Sequence, residues 1–381
     1  MEGQEITRQS ERIDAIDAAR GMAMFLVCLS HFKWIYGLKG GLNRVLDVFV
    51  FCASPTFMII SGIMLGILSV TAGDSWESVK DKLIDRGLFL LTIGHLLIVG
   101  AHIALSGSIA VAFRWAFITD AIGFSVIAGS YLIRRIKMVT RAILSIALFA
   151  LAWLIILEWN PESTALLFLK ETLFGSLGRH VYVYNHPLLI WFALYFGSTC
   201  IGEQIGSHYK WNKDFGKICF SILKFSVAFV SVALTMKLIG KFLTVRGLVH
   251  QDNHFLFFMH EFYKFPPTPF FFLFFGGIGL LLIYFMFKIK DIEVFRGFYK
   301  VAIMLGKTSL FVFILQYYFY YTGLFLLHLN HSKIWELYFI ASFVLIVVFA
   351  KIWLDKDLNR FITVKFFLPR VLWRSRIEAG G

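Results

Sequence analysis

Hydrophobic runs long enough to cross a membrane recur along the whole chain, separated by short polar segments. A helix needs roughly 20 apolar residues to cross the hydrocarbon core of a bilayer. The pattern therefore predicts an all-α fold, a polytopic integral membrane helix bundle with about ten transmembrane helices. The predicted spans are 21–37, 46–70, 87–105, 116–133, 142–158, 187–205, 218–240, 268–287, 301–327 and 334–354.

Composition supports this class of protein. Of the 381 residues, 58% are hydrophobic and 16% are charged, whereas about a quarter of the residues of a soluble domain are charged. These values exclude a soluble enzyme and a disordered chain. The four cysteines lie in or beside apolar runs, so we interpret them as buried hydrophobic residues and expect neither disulfides nor metal ligands.

The net charge of +13 indicates how the chain lies in the membrane. With the N-terminus in the cytoplasm, 25 Lys and Arg residues fall on the cytoplasmic side and 10 fall outside. This excess predicts that both termini are cytoplasmic. The basic charge is thereby explained by topology, and we expect no nucleic acid among the partners.

Five segments describe the predicted organisation. Residues 1–20 form a cytoplasmic N-terminal segment, and residues 21–354 form the transmembrane domain. Two enlarged extracytoplasmic loops, 159–186 and 241–267, interrupt this domain. Residues 355–381 form a basic cytoplasmic tail, in which aromatic residues alternate with Lys and Arg. Such a tail is typical of a segment that lies on anionic membrane lipids.

The first span carries ionisable residues, which are costly in lipid and therefore indicate function. Asp17 and Arg20 are three residues apart and can pair on one helix face. His31 follows Arg20 by eleven residues, so it lies on nearly the same face, about 16 Å deeper in the membrane. A phosphate-bearing donor could bind Arg20 and extend towards His31, a residue suited to general-base catalysis. The alternative is a helix-start ion pair and a histidine that bonds a neighbouring helix.

The third and fourth spans repeat this arrangement less clearly. Arg86 lies at the cytoplasmic end of the third span, where it is a candidate second phosphate ligand or a topological anchor. His95 follows nine residues later. Asp120 interrupts the fourth span, and we expect it either to pair with Arg114 or a neighbouring helix, or to line the active cavity.

Two further patterns concern helix packing and metal binding. Gly62 and Gly66 are four residues apart in the second span, and this spacing predicts close helix packing. The second outer loop is rich in histidine, but its spacing matches no metal-binding pattern. We therefore expect no metal there and interpret the loop as solvated or as an acceptor-binding surface. Its polar residues are His250, Asp252, His254 and His260.

The opening of the chain, RIDAIDAARGMAMFLVCLSHF followed by ASPTFMIISGIMLG, resembles the first two helices of the polytopic membrane acyltransferases. That group typically begins with R-x-x-x-(L/V/I)-D-x-x-R-G and ends its first span in His or Asn. Later segments resemble the branch of heparan-α-glucosaminide N-acetyltransferase. These segments are HPLLIWFALYFGSTCIGEQIG, FYKFPPTPFFFLFFGG and MLGKTSLFVFILQYY. The motif positions of the first span are Arg12, Asp17, Arg20, Gly21 and His31.

The resemblance implies transfer of an acyl group, most simply acetyl, from cytoplasmic acyl-CoA to a sugar amine or hydroxyl across the membrane. It makes His31 and Asp17 the catalytic candidates, and Arg20 and Arg86 the acyl-CoA ligands. Candidate cavity or acceptor residues are His95, Asp120, Gln316 and Lys307. The sequence departs from the family in its late motif, where Lys307 replaces an arginine and Gln316 replaces a histidine.

The resemblance also suggests partners and a location. We expect acyl-CoA as co-substrate, a glycan or lipid-linked sugar as acceptor, and membrane lipids as surroundings; a homo-oligomer is left open. The short loops favour a bacterial inner membrane over a eukaryotic organelle. Two other functions remain as alternatives, namely a transporter or flippase and a catalytically inactive membrane scaffold. No convincing similarity between the two halves of the chain supports the transporter.

Overall fold

A computed structural model describes residues 13–36, 41–178, 180–183, 185–211, 215–249, 254–260, 263–329 and 334–364. The α-helices are α1 (Asp14–Tyr36), α2 (Gly41–Phe51), α3 (Ala53–Thr71), α4 (Trp76–Phe89), α5 (His95–Ser106), α6 (Ile109–Ala112), α7 (Ile118–Leu132), α8 (Met138–Glu158), α9 (Thr164–Leu173), α10 (Leu188–Trp211), α11 (Phe215–Val245), α12 (His254–His260), α13 (Pro269–Ile289), α14 (Arg296–Lys307), α15 (Ser309–Tyr317), α16 (Leu324–Leu326) and α17 (Trp335–Asp355). Short π-helical segments, Leu90–Gly94 and Tyr318–Gly323, join α4 to α5 and α15 to α16.

The predicted all-α membrane bundle is confirmed. Among the described residues, nine helical segments are long and apolar enough to cross a bilayer, and α7 is a shorter apolar helix. This part of the chain contains no β-strand. We call the end of the bundle at which α1 begins the inner end and the opposite end the outer end, following the predicted topology.

Several helix boundaries differ from the predicted spans, and three of these differences are described here. Helix α1 begins at Asp14, so it includes Asp17 and Arg20 in its first two turns. Helix α11 continues to Val245, into the predicted second outer loop. The predicted span 301–327 is broken at Thr308, which separates α14 from α15. Helix α14 has a charged face and an apolar face, and the apolar face packs on α1. Because α14 and α15 both contain many apolar residues, hydropathy alone predicted them as a single span.

Glycines allow the closest helix contacts. A Cβ atom on Gly62 or Gly66 would lie 2.2 or 2.3 Å from a backbone oxygen of α10, so the predicted close packing of this helix is confirmed. Helices α1 and α14 approach even more closely. A Cβ atom on Gly21 or Gly306 would lie 1.8 Å from a backbone oxygen of the facing helix. Because Gly21 follows Arg20 directly, this contact fixes the start of α1 against α14.

The buried core differs between the two ends of the bundle. Near the inner end it consists mainly of Ile and Ala side chains, including those of α3 and the first turns of α1. Towards the outer end it is rich in Trp, Tyr and Phe side chains. Aromatic rings that carry a hydroxyl or an indole N–H suit the boundary between apolar and polar surroundings. The aromatic half of the core surrounds His31.

Candidate active site

His31 lies near the outer end of α1 and is half-buried. Its Nδ1 atom is 3.0 Å from Oε1 of Gln316, a fully buried residue of α15. The Gln316 amide nitrogen donates to the backbone oxygen of Phe313 at 3.1 Å, which orients Oε1 towards the histidine. An amide oxygen only accepts hydrogen bonds. Nδ1 of His31 therefore carries the proton and donates it, and Nε2 is left as the basic nitrogen.

Aromatic rings of α15 and the adjoining π segment surround the imidazole. The ring of His31 lies 4.7 Å from that of Tyr317 and 5.5 Å from that of Tyr321. The π segment is joined to α5, because the Tyr318 hydroxyl donates to the backbone oxygen of Leu97 at 2.8 Å. Short π-helical segments are frequent at functional sites. Here one of them contains Tyr321 and directly follows Tyr317, the two tyrosines that contact the predicted catalytic histidine.

A second histidine, His102 of α5, contacts the same two tyrosines. Its ring lies 5.0 Å from that of Tyr317 and 4.5 Å from that of Tyr321. It is almost fully buried, and its Nδ1 bonds the backbone oxygen of Ile98 at 2.9 Å. Sequence reasoning missed His102. Its only signal was a polar residue seven positions beyond His95 on a predicted apolar span.

The structure pairs His95 with Asp120. Nδ1 of His95 lies 3.0 Å from Oδ1 of Asp120, and the other carboxylate oxygen accepts the backbone N–H of Phe117 at 2.8 Å. Asp120 thus lies in the first turn of α7 and pairs with a neighbouring helix, one of the predicted alternatives. The ring of Phe117 lies 4.8 Å from that of His102. His95 and Asp120 therefore help to hold Phe117 against His102, which shares its two tyrosine neighbours with His31.

The first outer loop is fastened by Glu171, a fully buried residue of α9. Its carboxylate accepts the backbone N–H groups of Val181 and Tyr182 at 2.7 and 3.0 Å and bonds the ring of His180 at 2.7 Å. Arg114, just before α7, donates to the backbone oxygen of Val181 at 2.6 Å. The loop is thereby held against the segment that leads into α7.

At the outer end of α10, His186 extends this group of histidines. It is buried, and its Nδ1 bonds the backbone oxygen of Ala116 at 3.1 Å. Burial and the charge of Lys264 lower the pKa of His186 well below its usual range. Burial also lowers the pKa of Lys264 to about 8. The region around His31 thus contains a group of histidines and one lysine whose pKa is lowered to about 8.

A separate charged group lies at the inner end of α1. Arg20 Nη1 is 3.5 Å from Oδ1 of Asp17, as the spacing predicted. Lys307, the last residue of α14, has its Nζ 3.5 Å from Oδ1 of Asp14. The close contact between α1 and α14 therefore brings Lys307, Asp17 and Arg20 together although about 290 residues separate them in sequence.

Arg86 is the remaining residue that was predicted to bind acyl-CoA. Arg86 is exposed on α4, a helix that packs mainly on α7.

Within the described ranges, no group of three or more His, Cys, Asp or Glu side chains is arranged to hold a metal ion. Of the histidine-rich second outer loop, His250 and Asp252 lie outside the described residues.

A crevice of about 540 Å³ opens between the π segment after α15 and α17. Its lining is almost entirely apolar and includes Tyr318, Phe319 and Tyr338. None of the predicted site residues lines it. Tyr317 and Tyr321, the tyrosines that contact His31, are not among its lining residues.

The chain was compared with known protein families. The model of the family described as heparan-alpha-glucosaminide N-acetyltransferase, catalytic, matches residues 12–218, which is more than half of the chain. The chain belongs to this family. The N-acetyltransferase family identifies the protein as a membrane acetyltransferase and confirms the resemblance seen in the first spans. A comparison with curated proteins finds no match.

The extent of the family match distinguishes two sets of site residues. The matched region contains the candidate residues of α1, together with Arg86, His95 and Asp120. Gln316, Lys307 and Lys264 lie beyond it. The contacts described above show how the later helices join residues of the matched region, since Gln316 bonds His31 and Lys307 lies beside the start of α1.

Proposed function

We propose that this protein transfers an acetyl group from cytoplasmic acetyl-CoA to a sugar amine or hydroxyl at the opposite side of the membrane, with His31 as general base. The observation that carries the proposal is the hydrogen bond from His31 to Gln316. It fixes the imidazole with a proton on Nδ1 and a free lone pair on Nε2. A base in this protonation state can accept a proton from an attacking hydroxyl or amine.

The reaction is a direct transfer. The acceptor oxygen or nitrogen attacks the thioester carbonyl carbon as its proton passes to Nε2 of His31. The carbon–sulfur bond then breaks, and the departing thiolate takes that proton to become the free thiol. Gln316 keeps the ring in one orientation throughout, because its own amide is held by the backbone of Phe313.

The donor binds from the inner end. The phosphates of coenzyme A are anions, and Arg20 and Lys307 are the cations held at the start of α1. Asp17 orients the Arg20 guanidinium through their ion pair. Arg86 is proposed as a further phosphate ligand from α4. The thioester at the end of the pantetheine arm then reaches His31, about 16 Å further along α1.

The acceptor binds from the outer end. Sugar rings have apolar faces that stack on aromatic side chains, and polar edges that need hydrogen bonds. Tyr317 and Tyr321 contact His31, and the ring of Trp34 lies one helical turn outside it, 5.8 Å from that of Tyr321. Trp34 is 56% exposed. These rings offer a stacking surface beside the proposed base.

Substitution of His31 tests the function. We expect His31→Ala to lower acetyl transfer from acetyl-CoA to glucosamine by about 10²–10⁴-fold, the usual contribution of a general base. His208→Ala, on the inner end of α10, is the matched control and should retain activity. The measurement is incorporation of labelled acetyl into the sugar by purified protein of equal amount. Full activity of His31→Ala would contradict the assignment.

A further inference from the structure

The turn that leads into α13 is fixed firmly to the bundle. Lys264 and Pro267 form an antiparallel bridge, and the backbone N–H of Thr268 donates to the oxygen of Tyr263 at 3.2 Å. The indole N–H of Trp153 on α8 donates to the backbone oxygen of Pro267 at 3.2 Å. These contacts hold the backbone of Lys264 at the outer end of the helix bundle.

The side chain of Lys264 belongs to the region around His31. Its Nζ lies 5.1 Å from the ring centre of Phe265, and that ring lies 5.1 Å from the ring of His186. The charge of Lys264 acts electrostatically on both His186 and His31. Lys264 is therefore linked through Phe265 to His186 of this region, on the side from which the acceptor is proposed to arrive.

Among the residues that the structure describes, this cation has no anionic partner. Lys264 is half-buried, and no described carboxylate forms an ion pair with it. Three carboxylates described at the outer end have other partners, since Asp47 pairs with Lys33, Asp120 with His95 and Glu171 with His180. A partly buried charge is stabilised by a counterion. A ligand that enters this region can supply one.

We propose that Lys264 binds an anionic group of the acceptor, a carboxylate or phosphate, and so selects acidic sugars over neutral ones. The proposal rests on the proposed function, since it concerns the acceptor of the same reaction. Lys264 is a specificity residue in this proposal. It pairs with the acceptor at a distance from the bond that forms, while His31 acts on the reacting atoms.

A pair of acceptors with the same amine tests the charge preference. The probes are methyl glucosaminide, which has no anionic group, and glucosamine 6-phosphate. We expect kcat/KM to be higher for the phosphate ester, and Lys264→Gln to lower the ratio of the two kcat/KM values by about tenfold or more, as for a hydrogen bond to a charged group. Lys241→Gln, an exposed lysine at the outer end of α11, is the control and should keep the ratio.

The pH dependence of the ratio gives a second test. Deprotonation removes the charge of Lys264 as the pH rises through about 8, so the preference should be strong at pH 7 and weak at pH 9.5. The phosphate stays dianionic over this range because its second pKa is about 6. Among the described residues, the histidines on which the charge of Lys264 acts are His31 and His186, and burial keeps the pKa of His186 well below this pH range. Lys264→Arg should keep the preference at high pH, since its guanidinium stays charged.

The outcomes separate the two proposals. Acetyl transfer with the same ratio in Lys264→Gln as in the natural protein would overturn the role of Lys264 and leave the proposed function standing. So would an equal loss with both sugars, which would mean that Lys264 acts on the reaction itself or on folding. Absence of acetyl transfer to both sugars in the natural protein would overturn the proposed function and the role of Lys264 together.

Discussion

At the scale of single residues, the most informative contact is that between His31 and Gln316. Gln316 stands where the resemblance led us to expect a histidine. A second histidine could donate to Nδ1 of His31 or accept from it, according to its own protonation. Glutamine removes this ambiguity, because its oxygen only accepts and its nitrogen is held by Phe313. The replacement is therefore compatible with a working base.

Removal of the Gln316 oxygen should weaken catalysis while His31 remains. We expect Gln316→Leu to lower kcat by about 10- to 100-fold, the range seen when a residue that orients a functional histidine is lost. Leucine keeps most of the buried volume, so the protein should still fold. The measurement is kcat for acetyl transfer at saturating acetyl-CoA. Gln204→Leu, a half-buried glutamine on α10, is the control; an unchanged kcat in Gln316→Leu would argue against this role.

At the scale of elements, the contact between α1 and α14 determines where the proposed donor site forms. It brings Lys307 to the start of α1 and places Arg20 and Asp17 against the same helix. The two glycines of this contact, Gly21 and Gly306, each face a backbone oxygen. A side chain at either position would separate the helices. The glycine that follows arginine in the family motif is thus needed for the close contact between α1 and α14.

Alanine substitutions on these two helices should have opposite effects. Gly21→Ala places a Cβ atom 1.8 Å from the backbone oxygen of Ala302, so it should destabilise the protein by about 1–3 kcal/mol through overpacking. Gly297→Ala on α14 meets no atom within 4 Å, and its better helix propensity should stabilise by up to about 1 kcal/mol. Thermal unfolding in detergent measures both. Equal melting temperatures for the two variants would contradict the packing argument.

Two π-helical segments also influence which side chains meet near His31. One precedes His95, and the other follows Tyr317 and contains Tyr321. The Thr322 hydroxyl donates to the backbone oxygen of Ala101 at 3.0 Å, so the second segment is fastened to the helix that carries His95 and His102. The extra residue of a π turn changes which side chains face a neighbour. Tyr321 of this segment and Tyr317 just before it contact both His31 and His102.

At the scale of the whole molecule, the two ends of the bundle differ in chemistry. The inner end has an aliphatic core and a surface group of Arg20, Lys307 and their carboxylates. The outer end has aromatic rings, histidines and Lys264. This division fits a donor with phosphates on one side and a sugar on the other. It depends on the predicted orientation of the chain in the membrane.

Cysteine labelling tests this orientation. Ser163→Cys lies just before α9 at the predicted outer side, and Asp291→Cys lies after α13 at the predicted cytoplasmic side; both native residues are exposed. In intact cells, a membrane-impermeant maleimide should label the first variant strongly and the second only after the membrane is opened. Three of the four native cysteines are buried, so the natural protein gives the background. The reverse labelling pattern would contradict the positive-inside assignment.

The sequence by itself determined the all-α membrane class, the family and the residues of α1. Hydropathy and local spacing carry this information, because a span, an i,i+3 pair and a motif all lie within one helix. Hydropathy did not separate α14 from α15, since an amphipathic helix and a span both contain apolar residues. Hydropathy and local spacing also did not indicate a functional role for Lys264 or His102.

Only the tertiary structure decided which distant residues meet. His31 and Gln316 are 285 positions apart, and nothing in either segment states that one accepts a hydrogen bond from the other. That pairing follows from how helices pack, through glycine contacts and π turns that change which residues face each other. The sequence supplied the histidine. The packed bundle decided which of its nitrogens carries the proton, because it placed a group that can only accept beside Nδ1.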